Sequence, residues 1–134
     1  MRLEQLISRQ VMPIEHRIKI ASLLLRLGVG GVFFWFGVDK FLHPQAWTAW
    51  VPSWMPGMIG LDPTMFIYVL GIIELVLGGF VLVGRFLRLA ALGCAVALAG
   101  IVASLPWSDI SVRDLGLLAA ALALFFLAEK KHKA

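Results

Sequence analysis

The sequence predicts an all-α integral membrane protein, a four-helix bundle with an external interfacial loop or helix and an amphipathic N-terminal segment. Three observations carry that prediction. Of 134 residues, 60% are hydrophobic and 15% charged, against roughly half and a quarter in soluble domains. The mean hydropathy is +0.90. The apolar residues also fall into four runs separated by prolines and charges, each near the roughly 20 residues of a helical crossing. A soluble globule of this length lacks the interior volume to hide so many apolar side chains. Four crossings consume about 80 residues, which leaves no room for a second domain.

Residues 1–19 mix Leu3, Leu6, Ile7 and Ile14 on one helical face with Arg2, Arg9 and Arg17 elsewhere. This is the pattern of a helix lying on the cytoplasmic membrane surface. No small-x-small site follows the first apolar run, so no cleaved leader is expected. The membrane domain is expected over 20–128. Its first span runs from Ile20 to Phe41. The second runs from Thr64 to Val83, behind an Asp62-Pro63 helix start. The third runs from Leu87 to Leu105, stopped by Pro106. The fourth runs from Ser111 to Ala128, where Ser111 and Asp114 have the spacing of a capping box. A basic cytoplasmic tail occupies 129–134.

Charge placement sets the expected topology. Nine Lys and Arg flank the runs on one side, namely Arg2, Arg9, Arg17, Lys19, Arg85, Arg88, Lys130, Lys131 and Lys133. Lys40 and Arg113 fall on the other side, and Arg26 lies within the first span. The positive-inside rule then predicts a multi-pass protein of the cytoplasmic (inner) membrane with both termini in the cytoplasm. Because the basic residues flank apolar runs, the pI near 9.7 reports topology and not nucleic-acid binding. The loop His43–Asp62 is external. It carries Trp47, Trp50 and Trp54, and with Trp107 these form an aromatic belt. The loop serves as plain interfacial anchoring or as a lid over a lateral opening into the bundle.

Helical arithmetic at 100° per residue sorts the faces. Arg26, Gly30, Phe33, Gly37 and Lys40 fall within about 40° of one line on the first span, with Asp39 on the far side. Gly71, Glu74 and Gly78 share a face of the second span, with Glu74 near the bilayer midplane. Ala91, Ala95, Ala99 and Ala103 repeat every four residues on the third, a small-residue packing stripe. Cys94 reads as a packing residue, and Arg113, Gly116 and Ala120 share a face of the fourth. Charges inside a membrane face the bundle, because lipid cannot solvate them. Arg26 and Glu74 are the deep pair, and Lys40, Asp39, Asp109, Arg113 and Asp114 form an external cluster. Reckoned from the basic flanks, Arg26 is the expected partner of Glu74, and Lys40, further out, is the less favoured one. The pair either fixes helix order or marks a midplane ligand or proton site. The lone Cys94 excludes an intrachain disulfide and a CxxC pair. His16, His43 and His132 lie outside the spans, which argues against a haem held by two histidines in the bundle core. No metal ligands are expected.

The order of these residues resembles a known family. Leu25-Arg26-Leu27-Gly28, then Gly37-Val38-Asp39-Lys40-Phe41 before His43-Pro44, resembles the first helix of the DoxX and DoxD-like proteins. Gly71-Ile72-Ile73-Glu74 with Gly78-Gly79 and Gly84-Arg85 resembles the second, and Val112-Arg113-Asp114-Leu115-Gly116 the start of the fourth. The resemblance runs over 24–128. It implies a four-helix membrane protein and, by analogy with quinone-linked relatives such as thiosulfate:quinone oxidoreductase, an oxidoreductase subunit. It carries over Arg26, Gly37, Lys40, Glu74, Gly78 and Arg113 as pattern positions. The sequence supplies no redox centre of its own, so any activity is expected to need a redox partner protein. The first functional expectation is thus a subunit binding quinone or another lipophilic molecule, with no covalent cofactor. Its site would hold Arg26, Glu74, Lys40 and Arg113, with Phe33, Phe34 and Trp35 as walls. The alternatives are a membrane scaffold for a partner protein or for homo-oligomers, and a small proton-coupled transporter built on Glu74.

Overall fold

A computed structural model describes residues 2–128; the expected basic tail, 129–134, lies outside them. The described residues form a helical bundle without strands. The helices are α1 (Leu3–Gln10), α2 (Ile14–Leu25), α3 (Gly31–Leu42), α4 (Pro44–Thr48), α5 (Trp54–Met58), α6 (Pro63–Val83), α7 (Leu87–Ser104) and α8 (Asp109–Leu127). Arg26–Gly30 is a single π-helical turn that joins α2 to α3 without interrupting the rod. Four helical stretches are long and apolar enough to cross a membrane. The rod Ile14–Leu42 measures about 43 Å at 1.5 Å per residue, longer than the roughly 30 Å hydrocarbon core. Its surplus lies at the start, where α2 buries no residue.

Each helix end has a local cause. Asp62 accepts hydrogen bonds from the backbone N–H of Thr64 (2.9 Å) and Met65 (3.1 Å), and Pro63 supplies the first helical φ of α6. α6 ends at Gly84 in the left-handed conformation, φ 82°. Leu105 is extended at φ −100°, ψ 150°, as the residue before a proline prefers, and α7 stops there. α8 corrects the expected capping box. It begins at Asp109, not Ser111, and Ser111 Oγ accepts the backbone N–H of Ser108 at 3.2 Å. Ser111 is therefore the N3 partner and Ser108 the cap. Asp114 is relieved of capping and lies one turn further in, buried.

Glycine sets the closest crossing. α3 and α6 run antiparallel with Gly30 against Gly78 and Gly37 against Gly71. A Cβ on Gly78 would stand 2.6 Å from the Phe34 backbone nitrogen, and one on Gly37 would stand 2.9 Å from the Gly71 carbonyl. These are backbone contacts that no rotamer change relieves. Lipid competes equally well for apolar side chains, so such close approach is what holds membrane helices together. α7 packs on α8 through Ala91, Cys94, Ala95, Leu98, Ala121 and Leu124, all nearly or fully buried. The expected alanine stripe is only half used, since Ala99 and Ala103 are exposed. A four-residue repeat advances about 400°, so the stripe drifts about 40° per step off the packed face. Cys94 is the packing residue expected of it.

Candidate functional site

The crossing of α3 and α6 places two side chains that lean toward each other. Gly37 opposite Gly71 puts Lys40 level with Tyr68, six residues or about 9 Å along the axis from Glu74. Side chains tilt toward the N-terminus of their own helix. On antiparallel helices Lys40 therefore reaches back into the bundle and Glu74 reaches forward to meet it. Lys40 Nζ lies 2.8 Å from Glu74 Oε2, with side chains 5% and 12% exposed. The indole of Trp47, from α4, covers the ammonium with its ring centre 3.6 Å from Nζ. Indole is the strongest of the aromatic cation acceptors.

Trp47 is itself held. Its Nε1–H donates to Asp39 Oδ2 at 2.8 Å, and Asp39 Oδ1 bonds His43 Nδ1 at 2.9 Å. Phe36 packs edge-on against the indole at 5.3 Å. The Arg113 guanidinium stands 5.4 Å from the Phe36 ring centre. Arg113 Nε and Nη2 both reach Asp114 Oδ1 at 3.1 Å. Two cations, two carboxylates and two aromatic faces thus surround one space.

That space has two lobes. One, of about 220 Å³, lies between α3, α7 and α8 and is lined by Phe33, Phe36, Arg113, Asp114 and Leu117 among others. The second, of about 310 Å³, lies between α6 and α7 under the loop, against Val51, Pro52, Met55, Ile67 and Leu70. Lys40, Glu74, Trp47, Trp50, Ile101 and Leu105 border both. Apart from the two ion pairs the walls are almost wholly apolar, the composition of a small-molecule site.

The structure corrects the expected deep pair. Arg26 does not meet Glu74. Its Nε and Nη2 donate to the carbonyls of Val81 (3.1 Å) and Leu82 (2.7 Å). The guanidinium lies so close to Gly84 that a Cβ there would stand 2.8 Å from Nη2. Arg26 therefore caps the C-terminus of α6, where carbonyls lack helical partners and the helix dipole is negative. The register explains this: Arg26 is level with Leu82, eight residues or about 12 Å from Glu74. Counting depth from Lys19 and Arg85 assumed that those flanks were level, but the long first rod extends past the end of α6. Lys40, the less favoured of the two by that count, is the partner.

Of the other expected site residues, Lys40, Glu74, Arg113 and Phe33 are brought together, while Trp35 and Phe34 lie on the exposed side of α3. Phe36, which sequence reasoning did not single out, lies four residues before Lys40, one turn away on the same face, and that spacing could have found it. Asp114 is buried in the site and not at a solvated helix end. Trp47 and Trp50 line the pocket, whereas Trp54 does not.

Neither the curated proteins nor the solved structures provide a match to this chain. The DoxX profile matches residues 21–107, which hold the Arg26, Gly37, Lys40, Glu74 and Gly78 positions and end before Arg113. A match over that share of the chain, joined to four membrane-spanning helices, makes the protein a member of the DoxX family.

Proposed function

We propose that the protein is a membrane subunit that binds a quinone, or a lipophile with a similar uncharged polar head, and serves a redox partner protein. The observation that carries this reading is the charge balance of the pocket. Lys40 and Arg113 are each already matched, by Glu74 at 2.8 Å and Asp114 at 3.1 Å. A site whose cations are neutralised disfavours a second anion and favours a neutral head that exchanges hydrogen bonds. The ammonium and guanidinium present N–H donors for quinone carbonyls. One oxygen of each carboxylate has no hydrogen-bond partner among the described residues and can accept from the hydroxyls of the reduced form. The Phe36 and Trp47 faces suit a flat ring. Reducing a quinone takes two electrons and two protons. The partner supplies the electrons, and Glu74 and Asp114 are the groups placed to pass protons. By the positive-inside reading the pocket lies in the outer half of the cytoplasmic membrane.

The test is a titration of purified protein with a decyl-substituted benzoquinone, followed by tryptophan fluorescence, since Trp47 and Trp50 border the pocket. Saturable quenching is expected. Lys40→Met with Glu74→Leu removes both charges and should leave a folded protein, because an apolar pair of similar volume replaces a buried ion pair at little cost. Its affinity should fall at least about tenfold, the loss of one charge-assisted hydrogen bond. A folded double variant that binds as tightly as the wild type would overturn the proposal.

A further inference from the structure

α6 and α7 also run antiparallel, and their seam continues the pocket. Leu77 faces Gly93, where a Cβ would stand 2.7 Å from Leu77 Cδ2. The same register sets Ile73 against Ala97, level with Glu74. Ile73 and Ala97 border the lobe under the loop, and they also border a shallow groove that runs on between the two helices toward Leu89. That groove is apolar throughout, lined further by Leu77, Leu92, Gly93 and Val96. From Ala97 to Leu89 it extends about 12 Å at 1.5 Å per residue. Its rim faces outward from the bundle, with Ile73 45% and Val96 65% exposed. The opposite end of the lobe is closed by Val51, Pro52 and Met55 of the loop.

From this continuity we infer that the α6–α7 seam is a tail-binding subsite and a lateral portal: the ligand's hydrocarbon chain lies along the groove, and its head enters past Ile73 and Ala97 from the bilayer. The inference rests on the reading of the pocket as a lipophile site, and adds the class of molecule. The ligand is a neutral head carrying a linear or isoprenoid chain long enough to fill the groove, drawn from the membrane and not from water. This occupant is favoured over a protein partner because the groove and the head lobe adjoin, sharing Ile73 and Ala97 in their walls.

Two probes separate head from tail: the decyl-substituted benzoquinone and the same benzoquinone without its chain. Val96→Phe places a ring in the groove at a position that does not line the head lobe, and Ala119→Phe puts the same ring on an exposed position of α8. Partitioning into detergent is common to all variants, so comparing proteins isolates the groove. Val96→Phe should weaken the decyl probe about tenfold, the equivalent of roughly two buried methylenes. It should leave the chainless probe within about twofold of wild type, as Ala119→Phe should leave both. Val96→Leu, a smaller intrusion, should weaken the decyl probe by less and serves if the Phe variant does not fold. If Val96→Phe binds both probes as the wild type does, bulk lipid fills the groove and the inference falls while the head site stands. An equal loss of both probes also overturns it, since the groove then does not act on the tail alone. If the wild type binds neither probe, the pocket reading itself fails.

Discussion

Lys40 is 4% exposed and yet carries a charge, a state that a membrane interior tolerates only with a partner. Glu74 supplies the countercharge and Trp47 the aromatic face, so removing either charge alone strands the other. Lys40→Met or Glu74→Leu should each cost about 3–5 kcal/mol of stability. The double substitution should recover most of that loss in a thermal-melt cycle in detergent. Additive losses would show that the two residues do not interact. Arg26 behaves differently. Arg26→Met deletes two charge-assisted bonds to the end of α6, each worth about 1.5–3 kcal/mol, without touching the pocket. Its melting temperature should drop while its affinity for the decyl-benzoquinone stays unchanged, and an Arg26→Met protein that is stable but blind to the probe would contradict the capping role. That Glu74 is a deep, bundle-facing charge was legible in the sequence, from its glycine neighbours and its place in the span. Its partner was not. Pairing across helices depends on their relative height, and height is set by where each helix starts, not by the spacing of residues within it.

At the scale of elements, the α3–α6 crossing does two jobs. It packs the bundle, and it brings Lys40 and Glu74 within bonding distance from opposite sides. Gly78→Leu should therefore destabilise by about 1–3 kcal/mol, as overpacking does, because the obstacle at 2.6 Å is backbone. It should also weaken quinone binding by prising the ion pair apart. The neighbouring Gly79 has nothing within 4 Å of its would-be Cβ, and Gly79→Ala should be neutral or gain up to about 1 kcal/mol from helix propensity. A detergent melt of the two variants reads both effects, and equal behaviour would remove the crossing from the account. The glycine faces, the Asp62 cap and the Pro106 stop were readable because each acts locally. The α8 start was misplaced by two residues because Ser108 and Ser111 both carry a side chain suited to capping, and local chemistry alone does not rank them. The alanine stripe misled because a four-residue repeat resembles a straight line in sequence but winds around a 3.6-residue helix.

For the molecule as a whole, the loop between α3 and α6 lends residues to the pocket. Trp47 and Trp50 line the pocket and Trp54 does not, although Trp50 and Trp54 are equally exposed, at 55% and 56%. The charge count predicts how that loop is oriented in the membrane: nine Lys and Arg lie on the terminal side against two on the loop side. The first span separates the loop from the N-terminus, and the positive-inside rule then predicts an outward-facing loop. Two single-cysteine probes test this. Met58 is 75% exposed in the loop, and Ser8 lies on the exposed N-terminal helix α1. The native Cys94 is fully buried among α7 and α8 and does not compete for reagent. In intact cells a membrane-impermeant maleimide should label Met58→Cys, whereas Ser8→Cys should react only after the membrane is opened. Reaction of both positions from the same side would refute the four-span topology, and with it the placement of the pocket beneath an outward-facing lid. Labelling of Ser8→Cys alone would keep the bundle and invert it, putting the head pocket in the inner half of the membrane and the groove that runs toward Leu89 in the outer half.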